Sequence, residues 1–137
     1  MRIKLMAGAA LALVMTSPAF ANSSNVTQNN SAHSAAVTQT GGVAGSSEIN
    51  QSGSENSATV TQSDSAASAT GPAANSSDID QSGSLNDANV TQINTGAGAA
   101  AVNSSVITQS ADSASADAYQ DGTGNTSDIA QSAAGIA

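Results

Sequence analysis

The stretch Gly45-Ser-Ser-Glu-Ile-Asn-Gln51, continued by Ser52-Gly-Ser-Glu-Asn-Ser-Ala-Thr-Val-Thr-Gln62, decides how this chain folds. Ser47, Ile49 and Gln51 alternate with Glu48 and Asn50. After residues 52–55 the alternation resumes, Asn56, Ala58, Val60 and Gln62 against Ser57, Thr59 and Thr61. Successive side chains of a strand point to opposite faces, so a period of two with β-branched residues on one face predicts extended chain. Gly53 lies between the two runs and suits a tight reversal. A helix does not fit, because a period of two leaves no apolar stripe at 3.6 residues per turn. The stretch therefore predicts strand, turn, strand.

Working outward, the opening heptad recurs at residues 22–28, 75–81, 103–109 and 125–131, and aligns Gln28, Gln51, Gln81, Gln109 and Gln131. Four of these glutamines are followed, always 11 positions later, by a second one: Gln39, Gln62, Gln92 and Gln120. The distance onward to the next heptad glutamine varies (12, 19, 17 and 11 residues), so one turn is fixed and the other accepts insertions. A lone two-stranded unit this poor in apolar area is not stable. Stacking like units at about 4.8 Å lets each backbone pair above and below and sets like side chains in columns. The expected inward columns are Val26, Ile49, Ile79, Ile107 and Ile129; Val37, Val60, Val90 and Ala118; a pure alanine column through Ala58 and Ala88; the Asn56 and Asn86 pair; and the two glutamine ladders. A buried amide left unpaired costs about 1–3 kcal/mol, but in a ladder its C=O accepts from the next rung. The predicted fold is all-β, a β-solenoid of about 4.5 stacked repeats with the last truncated and with Gly53 and Gly83 setting turns.

Composition excludes several functions. The 137 residues are 39% hydrophobic but 1% aromatic, and the apolar count is mostly alanine, so no core of large side chains is available. By composition alone such a chain would be disordered; the repeat overturns that expectation. Arg2 and Lys4 precede a small-residue apolar run, and Ala19-Phe20-Ala21 has the form of a cleavage site, so residues 1–21 are expected to be a signal peptide. The apolar run is too short for a membrane span of ~20 residues. Residues 22–137 hold all ten acidic residues and no Lys or Arg. Nucleic-acid binding, which needs cations to displace phosphate counterions, is excluded, and no direct membrane insertion is expected. With no Cys there is neither disulfide nor thiolate chemistry, and with His33 as the one histidine and no lysine after cleavage, no enzyme and no cofactor are expected.

The segments 51–62 and 81–92, Gln51-Ser-Gly-Ser-Glu-Asn-Ser-Ala-Thr-Val-Thr-Gln62 and Gln81-Ser-Gly-Ser-Leu-Asn-Asp-Ala-Asn-Val-Thr-Gln92, resemble the curlin repeat, Gln-x-Gly-x-x-Asn-x-Ala-x-x-x-Gln. The other units match less well: Asn30 and His33, and Ala111 and Ala114, stand at the Gly and Asn sites. The family's usual Ser six residues before the first Gln is replaced by Asn22, Gly45, Asn75, Asn103 and Asn125. The resemblance implies a secreted structural subunit of curli-type extracellular amyloid fibres on a Gram-negative bacterium, serving adhesion and biofilm matrix. Its implied partners are further copies of itself, a nucleator subunit and an outer-membrane export pore.

Glu48, Asp78 and Asp128 fall in one outward column with Asn25 and Val106. Two readings stand: a solvated acidic face, or gatekeepers whose repulsion slows premature stacking. Residues 63–74 and 93–102, rich in small residues, are expected to bulge from one edge. His33 is expected to substitute for an Asn in its column rather than bind metal. The alternative to a fibre subunit is a monomeric β-solenoid adhesin or ice-binding protein, for which the outward column Thr27, Asn50, Asp80, Thr108, Ala130 is irregular.

Overall fold

Where β-branched and small residues alternate with polar ones, the chain is extended throughout. The computed structural model describes residues 10–16, 22–41, 45–64, 75–95 and 102–132, and no α-helix occurs among them. The strands are β1 (Ala10–Thr16), β2 (Ser23–Gln28), β3 (Ser34–Gly41), β4 (Ser46–Gln51), β5 (Ser57–Asp64), β6 (Ser76–Gln81), β7 (Asp87–Asn94), β8 (Ser104–Gln109), β9 (Ser115–Asp121) and β10 (Thr126–Gln131). They form two five-stranded sheets, ordered β1-β3-β5-β7-β9 and β10-β8-β6-β4-β2, so consecutive strands alternate between sheets. Every pairing within the sheets is parallel.

Register follows the repeat residue for residue. Gln28 pairs with Gln51, Gln51 with Gln81, Gln81 with Gln109 and Gln109 with Gln131. In the other sheet Gln39, Gln62, Gln92 and Gln120 form the same succession. A slip of one residue would turn every inward side chain outward, and the buried Ile and Val columns forbid it. The apolar core lies between the sheets: Ile49, Ile79 and Ile107 from one meet Val37, Val60, Val90 and the alanine column from the other, all nearly inaccessible. Val26 and Ile129, on the edge strands β2 and β10, are half-buried members of the same column.

One expectation needs amending. Ser63 and Asp64 extend β5, and Ile93 and Asn94 extend β7, with Asn94 fully buried. The insertions therefore start later than residues 63 and 93, and the expected bulges at 65–74 and 96–101 lie outside the described residues. β1 falls inside the segment expected to be a signal peptide and pairs with β3, Leu13 opposite Val37 and Met15 opposite Gln39.

Candidate functional site

Among the described residues the groups with chemistry are the columns that run along the stack and the strands at its edges. The even-numbered sheet presents Gln28, Gln51, Gln81, Gln109 and Gln131 toward the other sheet. Each amide donates to the carbonyl oxygen of the next: Gln28 Nε2 to Gln51 Oε1 at 2.8 Å, Gln51 to Gln81 at 2.8 Å, Gln81 to Gln109 at 2.9 Å and Gln109 to Gln131 at 2.9 Å. The second ladder does the same, Gln39 to Gln62 at 2.7 Å, Gln62 to Gln92 at 2.9 Å and Gln92 to Gln120 at 2.8 Å. From Gln39 onward, every ladder amide also donates a proton across to the facing sheet. Gln51 Nε2 donates to Ser34 O at 3.0 Å, and Gln62 Nε2 to Ser46 O at 3.0 Å. An interior glutamine thus satisfies both protons and its carbonyl without water, and ties the sheets together.

The fixed turn carries a second column. Asn56 Nδ2 donates back to Ser52 O at 2.7 Å while its Oδ1 accepts from Asn86 N at 3.0 Å, and Asn86 repeats the pattern with Ser82 O at 3.0 Å and Ala114 N at 2.9 Å. His33 stands in for asparagine with the same two contacts. Its Nε2 lies 2.8 Å from Asn29 O, and Asn56 N donates to its Nδ1 at 3.3 Å. Nδ1 thus faces a backbone N–H and Nε2 a backbone carbonyl, in a ring buried to 1% exposure.

Gly53 and Gly83 have φ of 97° and 101°, left-handed as a tight reversal requires. Close approach matters as much. A Cβ on Gly53 would overlap the Gly83 carbonyl, and one on Gly83 would sit 2.7 Å from Ala111 O. Sequence reading missed the left-handed residue four positions after the glutamine in each of these turns: Ala32, Glu55, Leu85 and Ser113 all have positive φ. These four share no residue type, so their identity carries no signal. It also missed an asparagine column at the other turn. Gly45 N donates to Asn22 Oδ1 at 3.0 Å and Asn125 N to Asn103 Oδ1 at 3.1 Å, with Asn103 Nδ2 on Gly122 O at 3.0 Å. The recurrent Asn six residues before the glutamine was the available signal.

The inward serines are different. Ser24, Ser47, Ser77 and Ser105 stack in register, and their hydroxyl oxygens are buried with no hydrogen-bond partner among the described residues.

On the outer face Glu48 and Asp78 are adjacent across β4 and β6, as their spacing predicts. Glu48 is exposed and accepts from Asn25 Nδ2 at 3.3 Å, and Asp80 accepts from Asn50 Nδ2 at 2.9 Å. Asp78 is only partly exposed, and its Oδ1 is buried without a partner. Burial first, then the neighbouring Asp80 and Glu48 carboxylates, push its carboxyl above the usual carboxylate range. Asp128 is exposed beside Val106, away from that pair. Among the described residues no group of three His, Asp or Glu side chains converges as a metal site. None of their helices could cross a membrane, there being none.

No family model matches the chain, and comparisons with curated proteins and with solved structures return no match.

Proposed function

We propose that this protein is an exported, self-assembling structural subunit of curli-like extracellular fibres, its two-sheet stack being a β-solenoid that continues from one copy to the next. The observation that carries this reading is the identity of edge and interior. β2 and β10 present the same inward pattern, Ser-x-β-branched-x-Gln, that pairs in parallel register at every step inside the stack. A parallel edge whose sequence matches the strand it already pairs with is a template for another copy. The resemblance of residues 51–62 and 81–92 to the curlin repeat and the signal-peptide pattern of residues 1–21 add to it.

On this reading the chain leaves a Gram-negative cell through an outer-membrane pore, is seeded by a nucleator subunit, and serves adhesion and biofilm matrix. Its work is mechanical, carried by Gln ladders with their Ile and Val neighbours. The test is the assembly kinetics of the purified protein followed by thioflavin fluorescence and electron microscopy. Replacing Gln51 and Gln120 together by Ala should slow fibre formation at least tenfold or abolish it. Kinetics unchanged from the parent would remove the ladders from the account.

A further inference from the structure

The amide ladders have a direction. Every described link runs from the Nε2 of one strand to the Oε1 of the next strand of the same sheet, always toward the C-terminus. The stack therefore has an acceptor end and a donor end. At the acceptor end Gln39 Oε1 is buried without a partner. Its register partner in β1 is Met15. At the donor end Gln131 Nε2 uses one proton on Ser115 O at 2.9 Å and Gln120 Nε2 uses one on Ser104 O at 2.8 Å, leaving each a second.

The ends are also uneven. β10 extends its sheet one strand beyond β8, whereas the opposite sheet stops at β9 among the described residues.

Resting on the self-assembly reading, we infer that copies join tail to head through β10 of one and β2 of the next, residues 126–131 lying parallel and in register on 23–28, with β9 and the next copy's β3 held two strand spacings apart. In that joint Gln131 Nε2 meets Gln28 Oε1, Ile129 completes the burial of Val26, and exposed Asp128 faces Asn25, whose amide already pairs with Glu48 on its other side. A tail-to-tail joint would turn β10 antiparallel to its copy, setting Gln131 against Ser127 so that neither ladder donor meets a ladder acceptor. A head-to-head joint would turn β2 antiparallel to its copy, setting Gln28 against Ser24 and breaking the column.

The offset between sheets follows from alternation. If β9 met the next copy's β3 directly, β2 of that copy would coincide with β10. The place left in the odd-numbered sheet is the one that β1 holds beside β3. The β10 to β2 contact thus carries the joint, whether or not residues 1–21 remain.

Crosslinking of assembled protein tests this, since the parent has no cysteine. Thr27→Cys and Ala130→Cys lie on exposed outer positions, and assembly of each variant is measured first. With a thiol crosslinker reaching about 5 Å, fibres mixed from the two variants should give covalent dimers, and fibres of either variant alone should not, because adjacent strands lie ~4.8 Å apart. Fibres mixed from Thr38→Cys and Tyr119→Cys, two spacings or ~9.6 Å apart, should need the longer reagent. Dimers from Thr27→Cys alone or Ala130→Cys alone overturn the tail-to-head order, and short-reach dimers between positions 38 and 119 overturn the offset. Parent protein that forms no fibres overturns the self-assembly reading, and the joint with it.

Discussion

Each interior glutamine amide is a small hub: it accepts from the strand before, donates to the strand after, and donates across to the facing backbone. Gln81→Ala would strip the acceptor from Gln51 Nε2 and the donor from Gln109 Oε1, both buried. At about 1–3 kcal/mol per orphaned group, a loss of roughly 2–4 kcal/mol is expected, read as a lower denaturation midpoint in urea. The buried serine column should respond in the opposite sense. Ser77 Oγ has no partner, so Ser77→Ala removes a desolvated hydroxyl and is expected to raise that midpoint by the equivalent of about 1 kcal/mol. Asp78 supplies a pH dependence. Its carboxyl titrates higher folded than unfolded, so the folded chain binds the proton more tightly and this group's penalty grows as pH rises through the window between the two values. Lowering the pH through that window should stabilise the stack relative to Asp78→Asn, whose stability lacks this component. Parallel pH profiles for parent and variant would refute it. Its register partner Glu48 is exposed, while Asp78 itself is partly desolvated and repelled by its neighbours.

At the scale of the element, strands were legible and turns only half so. The alternation around Ile49 and Val60 placed every inward residue of β4 and β5 correctly, because period two leaves one assignment of faces. Gly53 and Gly83 were legible as turn residues, but the reason is larger than flexibility: successive turns stack so closely that a methyl group on Gly53 would strike the carbonyl of Gly83. Gly53→Ala should therefore cost more than about 2 kcal/mol, combining a left-handed backbone with a steric clash. Gly124→Ala, with positive φ but open space around it, should cost about 1 kcal/mol by thermal or urea unfolding. The asparagines at 22, 103 and 125 were visible in the sequence as departures from a serine site, and their hydrogen-bonding role emerged only with the turn geometry around Gly122. The extension of β5 and β7 past their glutamines was not legible, because Ser63-Asp64 and Ile93-Asn94 share no pattern.

For the whole molecule the decisive property is a narrow interior filled by small and amide side chains rather than bulk. The largest buried residues are isoleucines, one histidine and glutamines, so stability depends on register and on neighbours above and below. Residues 22–137 carry ten acids and no Lys or Arg, so each added copy meets like charge. Screening shortens from ~30 Å at 0.01 M salt to ~10 Å at 0.1 M, and assembly should have a shorter lag at the higher salt; a lag independent of salt would separate assembly from this charge. The most direct test of the central claim is X-ray diffraction from aligned assemblies of the purified protein. The account predicts a meridional reflection near ~4.8 Å with an equatorial spacing near ~10 Å, the strands running across the fibre axis. Protein that stays monomeric at high concentration, or fibres without the ~4.8 Å meridional reflection, would contradict it.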